Sequence, residues 1–138
     1  ARAHMVEIWR SRETDHWIHG DLHLANALSR VGRERGPVTL IDLAEVRPGH
    51  WVEDAAYLER RLWARPERLA QAPPVATMAD CRRAQGLRVE KGFERLADIR
   101  RLLMAATAPA FMKTEGHPRH LEACRKQMEA VLDRLGRI

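Results

Sequence analysis

His19-Gly20-Asp21-Leu22-His23-Leu24-Ala25-Asn26 is the stretch on which the reading of this chain turns. It sets an aspartate and an asparagine five residues apart on a segment broken by glycine. On a tight loop such a pair can serve one phosphate, with the Asp21 carboxylate aimed at a hydroxyl and the Asn26 carbonyl oxygen holding a magnesium ion. Magnesium prefers hard oxygen ligands and keeps several waters, so a second carboxylate is needed. Asp42, 16 residues beyond Asn26, is the candidate. It ends Val38-Thr39-Leu40-Ile41, the strongest strand signal in the chain. Ala27-Leu28 starts a second strand, and Arg30 to Pro37 is a polar turn with Gly32 and Gly36. A hairpin joining residues 27–30 to 38–41 follows. Phosphoryl transfer asks little more of this half of a site than a positioned nucleophile, metal ions and fixed geometry.

The loop His19-Gly20-Asp21-Leu22-His23-x-x-Asn26 resembles the catalytic loop of the aminoglycoside phosphotransferase and choline kinase family, which has the protein-kinase-like fold. Ile41-Asp42 is similar to that family's metal-binding segment, and Asp54-Ala55-Ala56 to the aspartate-led start of its next helix. The resemblance runs from about His19 to Tyr57. It implies that Asp21 is the catalytic base, that Asn26 and Asp42 are magnesium ligands, and that His19, His23 and Asp54 support the loop. It implies Mg2+ and ATP or another NTP as cofactors, and a small-molecule hydroxyl as acceptor. The sequence departs from the family at His50, where Gly-Asp is usual, and at Leu43, where Trp or Phe is common.

A kinase-like enzyme also needs a strand lysine and a loop covering the phosphates, both ahead of the catalytic loop. Only 18 residues precede His19, and the first lysine is Lys91. The expectation is a C-terminal lobe alone, with its cofactor-binding residues unknown. Such a lobe is inactive in isolation and is completed by a missing N-terminal lobe or a second chain. An exposed apolar surface is expected near Trp17 and the hairpin, where the other lobe would have met it. The alternative is a non-catalytic kinase-like module used for binding or assembly.

Outward from the loop, the chain reads as mainly α (α+β), a helical lobe with one small hairpin. Its 138 residues suit a single domain over 1–138, with a catalytic-loop and hairpin part (1–51) and a helical part (52–138). Met5, Ile8 and Trp9 mark a short amphipathic helix, and Val52 to Ala64 carries a broad apolar stripe. Pro73-Pro74 breaks the chain, and Thr77 is the expected cap of a helix through Cys81 to Gln85. Phe93, Leu96, Ile99, Leu103 and Met104 step by threes and fours. The last helix opens at His117-Pro118 and stops at Gly136. Both cysteines, Cys81 and Cys124, and all four tryptophans are expected in the core.

Composition narrows the function classes. The 24 basic residues against 19 acidic give a net charge of +5, but the arginines are spread along the chain among glutamates. That pattern gives no grouped basic face, so no nucleic-acid partner is expected. No apolar run is long enough to cross a membrane, and two cysteines make no disulfide scaffold; a cytoplasmic protein is expected. His19 and His23 stand at i, i+4, as in a zinc helix, but Gly20 replaces the glutamate and is a poor helix residue. Asp21 as a plain turn residue and Asp42 as a strand-ending cap remain the structural alternatives. His16 is expected at the surface, His50 in a turn, and Glu45, Arg47 and Glu53 as surface or loop charges. Residues 81–138 carry 13 basic and 7 acidic side chains, which leans towards a neutral or anionic acceptor.

Overall fold

A computed structural model of the chain describes residues 2–29, 36–111 and 117–136. Helix α1 (Arg2–Arg10) is followed by strand β1 (His16–Ile18), the loop, and strands β2 (Ala27–Ser29), β3 (Val38–Leu40) and β4 (Arg47–Gly49). Then come α2 (Val52–Arg60), α3 (Pro66–Gln71), α4 (Pro74–Ala84), α5 (Phe93–Thr107) and α6 (Pro118–Gly136). The described residues are mainly helical with two small antiparallel strand pairs.

The expected hairpin is present as β2 on β3, with Ala27 opposite Leu40 and Ser29 opposite Val38. Of its turn, Gly32 and its neighbours lie outside the described residues. A second pair was not legible: β1 lies against β4, with His16 opposite Gly49 and Ile18 opposite Arg47. Three-residue strands carry too little alternation to be read from sequence. Gly49 lets this pair close, because a Cβ there would stand 2.6 Å from Ile18 Cδ1.

The core sits in the helical part. Val52, Ala55 and Ala56 of α2 are fully buried and join Ala79 of α4, Phe93, Ala97, Met104 and Ala105 of α5, and Cys124 of α6. Small residues on the α2 stripe allow α4 and α5 to pack closely against it. Helix α2 ends at Arg60 rather than running to Ala64, yet Trp63 in the following turn is still buried. Helix α4 begins at Pro74, so Thr77 lies inside it and caps nothing; proline suits the first turn, where no N–H is required. Cys81 is exposed, contrary to expectation, whereas Cys124 is buried. Trp51 and Trp63 belong to the core, but Trp17 is 75% exposed.

Charged groups lock the helices together. Arg101 of α5 grips both carboxylate oxygens of Glu59 on α2, at 2.5 and 3.0 Å. It also donates to Asp98, which takes two further bonds from Arg134 of α6, at 2.9 and 2.7 Å. Burial pushes the Asp98 carboxyl up, but the two arginines outweigh it and hold it below its ordinary value.

Candidate functional site

The loop is fixed by α2. Asp54, in the first turn of that helix, accepts the His19 N–H at 2.7 Å and the Gly20 N–H at 2.9 Å, one on each oxygen. Gly20 has φ +84, and a Cβ there would stand 2.3 Å from the Glu45 carbonyl oxygen. Only glycine fits both the left-handed backbone and that close approach. The loop is therefore pinched between α2 and the turn that follows Asp42.

The polar side chains then close on one another. His19 Nδ1 accepts the Asp21 N–H at 3.3 Å, which leaves Nε2 as the donor to the Ile41 carbonyl oxygen at 2.9 Å. The Asn26 amide donates to the Asp21 carbonyl oxygen at 3.0 Å and reaches its carboxylate at 3.4 Å. Asn26 is buried, and its backbone carbonyl accepts the Ile41 N–H at 3.0 Å. His23 Nε2 lies 3.6 Å from the Asp21 carboxylate. Ile41 is thus tied to both His19 and Asn26, and Asp42 is the next residue along. Asp42 adopts φ 59 and ψ 65, the one non-glycine residue with positive φ among the described residues. Aspartate tolerates this conformation better than most residues, at a cost of about 1 kcal/mol. Its side chain is exposed. Asp21, Asn26, His19, His23 and Asp54 are brought together directly, and Asp42 is tethered beside them through the backbone.

Four residues at or beside this site were missed or misjudged from sequence. Glu53 is 2% exposed, not a surface charge. It takes Arg12 Nε at 3.0 Å, Arg47 Nη2 at 2.9 Å and the His50 N–H at 3.1 Å. Burial pushes this carboxyl up, and the donors more than reverse it, so it lies below its ordinary value. His50 is more than a turn residue. Its Nδ1 accepts the Val52 N–H at 3.2 Å, and with Glu53 reaching back to its N–H it forms a reciprocal cap on α2. Its Nε2 donates to Glu90 at 3.1 Å, and burial holds the ring below its usual pKa despite that carboxylate. Glu90 also accepts Trp51 Nε1 at 3.0 Å. His16, half-buried rather than at the surface, meets Arg82 at 2.8 Å.

The fourth is Tyr57. Its phenol faces the Asp21 carboxylate, and burial together with that charge pushes its pKa up. The signal was available: Tyr57 follows Asp54 by three residues on α2, so both point to the loop. Beyond Tyr57 stand Arg60, with its guanidinium 6.0 Å from the ring centroid, and Arg61.

Apolar side chains are exposed in the loop and in the segments that flank it in sequence. Trp17 and Leu24 are 75% and 72% exposed, and Leu28, Val38, Leu40, Leu43 and Val46 are exposed as well. This is the surface expected from the sequence near Trp17 and the hairpin. Among the described residues no helix is long and apolar enough to cross a membrane.

Comparison with known proteins supplies the family. The model of the phosphotransferase enzyme family (APH) matches residues 1–93 of the 138, a span that contains the loop, both strand pairs and α2. The chain belongs to that family. Searches of curated proteins and of solved structures found no match.

Proposed function

We propose that this chain is the metal- and acceptor-binding half of a small-molecule kinase, the C-terminal lobe of a protein-kinase-like fold. It moves the γ-phosphoryl group of ATP or another NTP to a hydroxyl. The observation that carries the reading is the set of tethers converging on one loop. Asp54 holds the His19 and Gly20 N–H groups, Asn26 holds Asp21, and Ile41 ties Asp42 to Asn26. A turn aspartate needs none of this apparatus.

In this reading Asp21 orients the acceptor hydroxyl and takes its proton as the new O–P bond forms and the nucleoside diphosphate leaves with its bonding pair. Asn26, through its amide oxygen, and Asp42, through its carboxylate, would hold magnesium. Both are hard oxygen donors, which fits that ion. Among the described residues no three His, Cys, Asp or Glu side chains gather as a cage, so water and phosphate oxygens complete such a shell. When bound, the ion neutralises charge on the phosphates. His19, His23 and Asp54 are positioning residues, and Tyr57 braces the Asp21 carboxylate. ATP as donor implies a cytoplasmic setting.

Residues 1–18 hold no lysine to grip the α- and β-phosphates. The apolar surface around Trp17 and the hairpin suits contact with a nucleotide-holding half, in the same polypeptide or a second chain. The 138 residues alone are expected to bind Mg·ATP no tighter than millimolar, about −4 kcal/mol. Titration calorimetry checks this, and a micromolar constant would show that the nucleotide site lies within these residues. The activity itself is tested by Asp21→Asn in the complete gene product. Turnover should fall by about 10²-fold or more with the Mg·ATP constant unchanged. Unaltered turnover removes Asp21 from the base role.

A further inference from the structure

Three parts of the fold meet on the Arg82 side chain of α4. Its Nε and Nη2 donate to the Arg88 carbonyl oxygen at 3.0 and 2.9 Å, in the segment that follows the helix. Its guanidinium lies over the Trp51 ring, 5.4 Å from the centroid. Nη2 also reaches His16 Nε2 on β1, at 2.8 Å. Arg82 is thus a strut between α4 and β1, the strand that runs directly into the loop at His19.

The bond between Arg82 and His16 allows one chemistry. A guanidinium has donors only and keeps its charge, so the imidazole must accept. That requires a bare Nε2, with the ring proton on Nδ1, which lies 2.5 Å from Asp15 Oδ1. A second proton would fill Nε2, remove the acceptor and set one cation against another. Among the described residues, the charged groups facing the ring come from three directions. Arg82 on α4 opposes the second proton, and the exposed Asp15 beside the ring favours it. His50 stands with its ring centroid 6.5 Å away, and its Nε2 donates to Glu90 at 3.1 Å. Burial holds His50 below its ordinary pKa, so it stays neutral into acid that charges an ordinary imidazole. From β4 the residue opposite His16 is Gly49, which brings no charge. Protonated His16 therefore keeps Asp15 and gives up Arg82. Of the three β1 side chains only Ile18 is buried, and a strand so exposed can open without global unfolding.

We infer that His16 and Arg82 form a proton-released clasp: neutral His16 holds β1 to α4, and protonated His16 frees Arg82 and loosens the β1–β4 pair at the entrance to the loop. The inference stands apart from the kinase reading, since it concerns the order of a strand and involves neither nucleotide nor acceptor.

The test is amide hydrogen exchange of the 138-residue chain at about pH 7.5 and about pH 5, either side of the ordinary histidine value and corrected for the intrinsic pH dependence of exchange. Protection at His16, Ile18, Arg47 and Gly49 should fall about tenfold on acidification, as loss of one hydrogen bond to a charged group provides. His16→Gln offers Arg82 a carbonyl oxygen that takes no proton in this range, so its protection should stay nearly constant between the two pH values. Arg82→Met removes the donors and should show the low protection at both. An unaltered chain whose protection does not fall overturns the inference. So does a His16→Gln variant that falls as far as the unaltered chain, because the proton then acts elsewhere, on His50 or on the carboxylates. Equal protection of Arg82→Met and the unaltered chain at the higher pH overturns it as well. Should Arg82→Met fail to fold, the His16→Gln comparison decides alone.

Discussion

The segment before Trp51 and the segment after it are held by different forces. Among the described residues the buried apolar side chains all lie at Trp51 or later, except Ile18. The earlier segment instead exposes Trp17, Leu24, Leu28, Val38, Leu40 and Leu43 and is fastened by polar bonds to α2. Stability therefore resides in α2, α4, α5 and α6, and the candidate chemistry resides on a loop that these helices merely hold. A loop fixed by a few hydrogen bonds can carry groups that a close-packed core would not tolerate, such as the αL Asp42 and the Asp21–His23 pair. It follows that substitutions should sort by segment away from the junction at residues 50–54: function without stability in the first, stability in the second.

The largest separation is expected between Asp21→Asn and Asp98→Ala. The first, in the complete gene product, should remove turnover as stated above while leaving the melting temperature of the 138-residue chain within a degree or two, since the carboxamide is isosteric and half-exposed. The second removes the acceptor shared by Arg101 and Arg134 in a buried network and should cost about 3–5 kcal/mol of stability. Thermal and urea unfolding check both. Loss of stability in Asp21→Asn as large as in Asp98→Ala would dissolve the contrast.

Asp54 sits on the boundary and should show both effects. Asp54→Ala leaves the His19 and Gly20 N–H groups without their acceptor, at about 1–3 kcal/mol. The loop then loses its anchor, so turnover should fall further than that destabilisation explains. The measurement is turnover at a temperature where the variant is fully folded. A variant that is destabilised but fully active would make Asp54 a helix residue with no bearing on the site.

How much of this was legible follows the same division. The loop, the β2–β3 hairpin and the order Asp21, Asn26, Asp42, Asp54 could be read because they are local patterns of strong residue types. Glu53, His50 and Glu90 could not. A glutamate beside a histidine looks like any exposed pair until Arg12, 41 residues earlier, and Glu90, 40 residues later, are brought to them. The exposed Cys81 and Trp17 misled for the opposite reason: both are types usually buried, and only the tertiary arrangement puts them outside. Tyr57 was readable from its spacing to Asp54 and was overlooked.

A smaller effect distinguishes the segments by pH. The folded His50 pKa lies below its ordinary 6.5, so its neutral ring contributes stability that is full above that value. As pH falls through 6.5 the unfolded chain binds a proton that the folded chain resists, and that stability is lost down to the folded pKa. Glu53 and Asp98 are depressed below 4.5 and 3.8, so their contributions last until pH falls through their folded values. The melting temperature should thus decline in two stages on acidification, the first flattened by His50→Asn, which keeps an acceptor for the α2 cap. A single decline starting only in the carboxylate range would assign His50 no role in it.

The smallest effect is expected on the exposed hairpin. Leu28 and Leu40 lie on the two strands of the hairpin and present apolar surface to solvent rather than to the core. Replacing both with serine removes no buried contact, so the stability of the monomer should change by about 0.5 kcal/mol or less per site. The same change shrinks the apolar patch around Trp17, Leu24 and Leu43, which drives association when it is left uncovered. Unfolding curves should therefore overlay, while sedimentation at high concentration should show less self-association than in the unaltered chain. If instead the double variant unfolds several kilocalories earlier, the hairpin belongs to the stability core and the division at Trp51 is wrong. Unchanged sedimentation with unchanged stability would leave the division intact and remove the hairpin from any contact with a second half.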